Sequence, residues 1–145
     1  MQEMRFRLSK AAEDCGLPFR GSDNIYNTRL AQELGLWSES KNKGDEFHTA
    51  VFRAYFVDGK NIGSIPLLAE LASSVGLPAD EAAEILTARS FKAAVDADWA
   101  ISKEKSITAV PTLLLNQDRL VGAQPYQDLA GLLEANGVKR RAITK

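Results

Sequence analysis

The sequence predicts an α/β protein that is mostly helical and ends in a β-hairpin followed by one helix. Apolar residues recur at helical spacing up to about residue 106. The pattern then changes to VPTLLLN, a continuous apolar run of strand length. A chain of 145 residues with one cysteine has the length of a single domain and can bury a core without disulfides.

About six helices with short connections are expected before residue 107. The first carries an apolar stripe that ends at Gly16, and the second is predicted at about 28–38. The third contains FHTAVFRAYFVDG and ends at Gly59. Ser64 is expected to cap the fourth helix and Asp80 the fifth. SFKAAVDADWAISKEKS then predicts a longer sixth helix.

The remaining residues predict an antiparallel hairpin. VPTLLLN begins with a proline, which cannot donate to a sheet ladder and therefore suits a strand's first position. A turn at residues 117–118 leads to the second strand, RLVGAQ, and so short a connection permits only antiparallel pairing. The last helix, PYQDLAGLLEANG, has proline in its first turn and ends at Gly137. Lys139, Arg140 and Arg141 would then complement its dipole.

Composition and charge exclude several classes of function. Eighteen basic and 19 acidic residues give a net charge of −1, so nothing points to nucleic acid or to an anionic membrane. No apolar run is long enough for a transmembrane helix, and the first residues lack the apolar region of a secretory signal. We expect a cytoplasmic protein, or a fragment of something longer.

Residues that often carry chemistry are too few here to form a site by themselves. The single Cys15 is expected to be a buried small hydrophobe, and the single His48 a boundary residue near the start of a helix. Together they do not supply the three or four ligands of a metal site, so neither metal nor cofactor is expected. Trp37 and Trp99 suit core or subdomain-interface positions.

The segment AVPTLLLNQDRLVGAQPYQDL resembles the C-terminal unit of the DsbA-like thioredoxin family, and most of all its FrnE-like branch. Upstream, GLPFRGSDNIYNTRLAQEL and FHTAVFRAYFVDGKNIG resemble two further segments of that branch, in the family's order. The likeness covers about residues 8–135. It implies an incomplete thioredoxin-like fold in one domain, 1–145, with a helical subdomain at about 1–106. The cis-proline loop, hairpin and C-terminal core helix would occupy 107–137.

The resemblance also implies where a substrate would bind. In the family, the peptide bond before this proline is cis, which here is the bond between Val110 and Pro111. The turn then offers the backbone N–H and C=O of Val110 to an extended peptide, in the manner of strand addition. The implied substrate-binding residues are Ala109, Val110, Pro111 and Thr112, and the implied rim of the site is Gly122, Ala123, Gln124 and Pro125.

The family's catalytic segment has no counterpart in this sequence. A complete member begins with strand, Cys-x-x-Cys, helix and strand, and its first cysteine is a thiolate nucleophile that reacts through a mixed disulfide. Cys15 belongs to the helical subdomain, so the resemblance implies no catalytic residue in this chain. The strand after Pro111 would also lack its family neighbour. We therefore expect an apolar, unpaired strand edge and a homodimer through the hairpin.

Three functions stay open at this point. The chain could be a disulfide oxidoreductase-family domain whose catalytic segment is lost or encoded elsewhere, without redox turnover by itself. It could be a non-catalytic module that binds an extended or unfolded peptide at Val110–Pro111. It could instead be a relative of 2-hydroxychromene-2-carboxylate isomerases and kappa-type glutathione transferases. That branch uses an early serine to activate glutathione, a segment also lacking here, and GAQP with FRAYF fits the FrnE-like branch better.

Overall fold

The computed structural model describes residues 2–21, 24–139 and 141. This part of the chain contains seven helices and one two-stranded antiparallel sheet, which confirms the predicted mostly helical fold with a small hairpin. The chain divides into two compact units, Met1–Ala97 and Asp98–Lys145. None of the described helices combines the length and the apolar character that crossing a membrane requires.

The predicted helices before residue 107 are all present. In chain order they are α1 (Gln2–Asp14), α2 (Arg29–Ser40), α3 (Gly44–Phe56), α4 (Ile65–Ser74), α5 (Ala79–Ala88) and α6 (Lys92–Glu104).

Of the two predicted helix caps, one lies at the expected residue and the other is wrong. Ser64 is the N-cap residue of α4, but its side chain makes no capping hydrogen bond. The N-cap of α5 is Pro78, and Asp80 lies within the first turn. The proline ring fixes φ at −65°, and the chain becomes helical directly after it, so the helix begins before Asp80 can cap it. In the first turn the Asp80 carboxylate still interacts favourably with the helix dipole.

The core of the 1–97 unit is built from one face each of α2, α3, α4 and α5. Its largest fully buried apolar side chains are Trp37, Phe47, Leu34, Leu68 and Leu86. Leu34 and Trp37 lie one turn apart on α2, as the helical apolar pattern predicted. Burying each such side chain contributes about 1.5–3 kcal/mol. Trp99, in the other unit, is 53% exposed, which excludes the core position that the sequence allowed for it.

A buried carboxylate ties three helices of this unit together. Glu33 on α2 is 1% exposed, and Arg89 at the end of α5 donates to both of its oxygens, at 2.6 and 2.9 Å. Arg29 donates to the same carboxylate at 2.9 Å and also pairs with Asp96 on α6. Lys92 pairs with Asp96 at 2.8 Å. Bidentate arginine–carboxylate pairs of this kind are among the stronger hydrogen bonds in proteins.

These contacts shift the acidities of the two carboxyl groups. The hydrogen bond from Arg89 holds the pKa of Glu33 below its ordinary value, against the opposing effect of burial, and the bond from Arg29 adds to it. Hydrogen bonds from Lys92 and Arg29 lower the pKa of Asp96 to about 2. Both groups are therefore more acidic in the folded protein than in the unfolded chain.

We expect the free energy of unfolding to fall as the pH drops below about 4. A carboxyl group with a lowered folded-state pKa stabilises the fold fully above its unfolded pKa, and that contribution is lost as the pH falls through the folded value. Replacing Glu33 with Gln should cost about 2 kcal/mol at pH 7. The cost should be smaller at pH 2. Urea denaturation between pH 7 and pH 2 measures both effects.

Glu84→Gln provides the matched control, because Glu84 is an exposed carboxylate on α5. It should leave the pH dependence of stability unchanged. Equal pH profiles for the Glu33→Gln and wild-type proteins would contradict the assignment of acid sensitivity to this network.

The 98–145 unit holds the hairpin. Strand β1 (Thr112–Leu115) pairs antiparallel with β2 (Asp118–Val121), with Thr112 opposite Val121. The turn lies at Asn116 and Gln117, so the prediction of residues 117–118 is wrong by one position. Asn116 has φ = +53°, a left-handed conformation that asparagine tolerates better than most residues, and the turn therefore begins there.

Helix α7 (Tyr126–Ala135) follows the hairpin, as predicted. Pro125 is its N-cap residue and therefore precedes the first turn. The sequence analysis predicted this proline within the first turn. Gly137 follows the helix with φ = +76°, the left-handed conformation that commonly ends a helix. Of the three basic residues expected to complement the dipole of α7, Arg140 lies outside the described residues.

Candidate functional site

The loop at residues 109–112 connects α6 with β1 and projects into solvent. Val110 is 89% exposed, and its neighbours Ala109 and Pro111 are exposed as well. The peptide bond between Val110 and Pro111 is cis. An apolar side chain this exposed, directly before an apolar strand, gives the loop a surface that other chains can contact.

Two hydrogen bonds fix this loop from within the 98–145 unit. The hydroxyl of Thr112 donates to the carbonyl oxygen of Ala109 at 2.7 Å, which closes the loop on itself. The backbone N–H of Gly122 donates to the carbonyl oxygen of Pro111 at 2.8 Å. The second bond joins the implied substrate-binding residues to the implied rim, which follows β2.

The rim residues form a short turn between β2 and α7. Gly122 has φ = +85°, a conformation that residues with a Cβ rarely adopt. The side-chain amide of Gln124 donates to the carbonyl oxygen of Val121 at 2.7 Å, which holds the turn against the end of β2. Ala123 and Pro125 are exposed. The sequence therefore identified two segments that the structure brings together.

Strand pairing beside this loop is incomplete in the described part of the chain. Strand β1 pairs with β2 along one edge only, and its other edge meets no described strand. The backbone N–H and C=O of Val110 likewise have no hydrogen-bond partner among the described residues. An edge of this kind is a template for pairing with another strand.

An apolar groove lies next to the same strand. A surface cavity of about 660 Å³ is lined mainly by apolar residues of β1 and α7, among them Leu113, Leu129 and Leu133. The charged residues Glu134, Lys139 and Arg141 also line it. Tyr126 is 74% exposed and Leu113 is 39% exposed. No described residue of the 98–145 unit is fully buried. The apolar side chains of this unit are therefore at least partly exposed in the described part of the chain.

The sequence analysis missed this groove. Leu129 and Leu133 lie four residues apart, which places them on one face of a helix, and that spacing was assigned only to helix formation. Tyr126 begins the same face one turn earlier. The spacing indicates that α7 has an apolar face, but it does not indicate whether another element covers that face.

The predicted burial of Cys15 is wrong. Cys15 is exposed, because it lies in the turn after α1 and most described side chains of that helix are exposed too. A thiolate nucleophile is favoured at a helix N-terminus, whereas Cys15 follows a C-terminal end. The described residues contain no group of three or more His, Cys, Asp or Glu side chains arranged to hold a metal ion.

A family model of the DSBA-like thioredoxin domain matches residues 1–134. The chain belongs to this family. It is 36% identical over 100 residues to the uncharacterized protein YwbO of Bacillus subtilis (strain 168), a stretch that covers 66% of this chain and 48% of YwbO. The DSBA-like chain thus matches about half the length of this curated relative. With a single cysteine, it contains no Cys-x-x-Cys motif.

Two solved structures share the fold of this DSBA-like chain. A 2-hydroxychromene-2-carboxylate isomerase superimposes with a TM-score of 0.77 over 94% of this chain and 65% of its own, at 20% identity. A candidate protein disulfide isomerase from Nitrosomonas europaea superimposes with a TM-score of 0.72 over 92% of this chain and 72% of its own, also at 20% identity. At this identity the likeness concerns the fold alone.

Proposed function

We propose that this chain is the peptide-binding part of a DsbA-like thiol–disulfide oxidoreductase, related to the FrnE-like branch. On this proposal, the segment that carries Cys-x-x-Cys comes from outside these 145 residues. The observation that supports the proposal most is the exposed Val110, whose backbone N–H and C=O have no partner among the described residues.

An extended peptide is the ligand that suits these groups. A peptide running past Val110 accepts from its N–H and donates to its C=O, as an added strand does. Each such bond contributes about 0.5–1.5 kcal/mol net, so two of them give weak binding with little sequence preference. The bonds from Thr112 and Gly122 hold the loop in place beforehand, which lowers the entropy cost of binding.

Redox turnover needs more than this chain supplies. Thiol–disulfide exchange passes through a mixed disulfide, which a second thiol must then resolve. Cys15 can form one mixed disulfide, but the chain holds no second cysteine to attack it. The chain by itself therefore binds substrate without turning it over.

We expect an unfolded peptide without cysteine to bind saturably to this loop. Pro111→Ala should weaken binding at least about fivefold, because it releases the backbone beside Val110 from its fixed geometry. Fluorescence anisotropy with a labelled peptide measures the affinity. Pro78→Ala is the matched control, since Pro78 caps α5 in the other unit and should leave binding unchanged. Equal affinities for both variants and the wild type would contradict the assigned site.

Adding a strand–Cys-x-x-Cys–helix segment from a DsbA-like protein should produce disulfide oxidation of a reduced peptide. The segment's strand pairs with the free edge of β1, and its cysteines supply the nucleophile and the resolving thiol. Loss of free thiols, followed with a thiol reagent, measures the reaction. The same segment with both cysteines replaced by serine is the control.

The result separates the oxidoreductase proposal from the binding-module alternative. Turnover by the mixture above that of the segment alone supports the oxidoreductase proposal. Peptide binding at Val110 without any gain in turnover identifies a non-catalytic binding module instead.

We also propose that the chain, taken alone, forms a homodimer through the hairpin. The free edge of β1 and the exposed Leu113 and Val121 favour pairing with a second copy. Light scattering at micromolar concentration should give twice the chain mass of 15.8 kDa. Leu113→Lys should give the monomer mass, and Leu17→Lys, in the other unit, should not. A monomeric wild-type protein at this concentration would end the dimer proposal.

A further inference from the structure

A second cavity lies within the 1–97 unit, between α2, α3 and the loop that precedes α2. Its volume is about 410 Å³, which falls within the range of pockets that bind small organic molecules. Its walls include Ile25, Tyr26, Phe52, Tyr55 and Phe56. It contains none of the residues of the 109–112 loop.

Aromatic rings form most of the wall and pack on one another. The rings of Tyr55 and Phe56 pack edge to face with their centroids 4.8 Å apart. Those of Tyr26 and Tyr55 pack in the same way with their centroids 6.3 Å apart. The hydroxyl of Tyr55 donates to the carbonyl oxygen of Asn24 at 3.3 Å, which restrains that ring. Phe52 is 61% exposed and so presents an open ring face. Rings held in this way favour a further aromatic ring, in offset-stacked or edge-to-face geometry.

The cavity is uncharged. None of the described residues that line it is Lys, Arg, Asp or Glu, and its polar members are Thr28, Gln32 and His48. Moving a charged ligand from water into such surroundings is costly unless a partner charge is present. The wall therefore favours a neutral molecule that carries few hydrogen-bonding groups.

His48 has a place in this wall that depends on a glycine in α2. A Cβ atom at Gly35 would lie 2.7 Å from Nε2 of His48, so a larger residue there would force the imidazole ring to shift. Glycine inside a helix lowers its stability by about 1 kcal/mol relative to alanine. At position 35 the absence of a side chain leaves space for the imidazole ring of His48. Nε2 lies 3.9 Å from the nearest Glu39 oxygen, beyond hydrogen-bond distance. The imidazole makes no hydrogen bond to the described residues, and the Glu39 carboxylate is the charged group that lies next to it.

We propose that this cavity binds a neutral, planar aromatic small molecule that carries one hydroxyl or carbonyl group, with His48 as its hydrogen-bond partner. The rings of Tyr55, Phe56 and Phe52 pack against the ligand's ring system. All residues that line this site lie within the 1–97 unit, and none of them belongs to the 109–112 loop.

The test uses 2-naphthol as the probe and proton NMR of His48 as the readout. His48 is the only histidine of the chain, so its Cε1 proton gives a single reporter resonance. At pH 7.5, adding 2-naphthol should shift this resonance saturably through the ring current of the bound probe. The matched anion, 2-naphthoate, should bind at least about fivefold more weakly because the wall offers no positive charge.

Two variants locate the binding. Phe52→Asp places a charge at the cavity wall and should weaken 2-naphthol binding about tenfold or more. Phe6→Asp makes the same change at an exposed phenylalanine of α1 outside the cavity and should leave binding unchanged. Gly35→Ala should displace the imidazole, moving the resonance of the free protein and reducing the response to the probe.

Three results would overturn the proposal, provided that circular dichroism shows each variant used to be folded. One is a His48 resonance that does not respond to 2-naphthol. Another is equal weakening by Phe52→Asp and Phe6→Asp. The third is a lower molecular mass for Phe52→Asp by sedimentation together with no probe binding, which would mark this face as a contact between copies of the chain.

Discussion

Backbone hydrogen bonding along β1 is the constraint on which the proposed function of this chain depends. A sheet of two strands is marginally stable in water, and β1 has a described partner on one edge only. The 1–97 unit differs from this one in how completely its side chains are buried. There, four helices bury side chains such as Trp37 and Phe47 completely, whereas no described residue beyond position 97 is fully buried. On the proposed function, a strand that pairs with the other edge of β1 would stabilise the hairpin as well as bring the redox chemistry.

The same local chemistry that begins β1 also creates the binding loop. Pro111 has no backbone N–H, so the ladder cannot continue from Thr112 towards Val110. The bond from Thr112 to Ala109 closes the loop on itself, and the bond from Gly122 ties Pro111 to the end of β2. Consequently, the polar backbone groups of Val110 have no hydrogen-bond partner among the described residues. One proline thus limits the strand at its beginning and forms part of the proposed recognition surface.

Periodicity in the sequence predicted the helices because burial in this protein follows it. Leu34 and Trp37 on α2, or Phe47, Val51 and Ala54 on α3, repeat at the helical spacing and are all buried. The positions of caps and turns depend instead on the backbone conformation of single residues. At Pro78 that conformation places the cap of α5 two positions before the predicted residue, and at Asn116 it places the hairpin turn one position earlier than predicted. The burial of Glu33 could not be predicted, because its partner Arg89 lies 56 residues away. The apolar groove beside α7 depends on which faces stay uncovered, and periodicity carries no such information.

Recognition and electron transfer are separable tasks in a protein built this way. Recognition needs a fixed loop with unpaired backbone groups, and Val110 with its neighbours meets that need using hydrogen bonds from within its own unit. Electron transfer needs a thiolate at a helix N-terminus and a second thiol within reach, which one exposed cysteine after the end of α1 does not provide. Since a free strand edge recruits strands, the edge that leaves β1 incomplete is also the means by which the missing chemistry would attach. The incompleteness of the sheet and the proposed function therefore have a single physical cause.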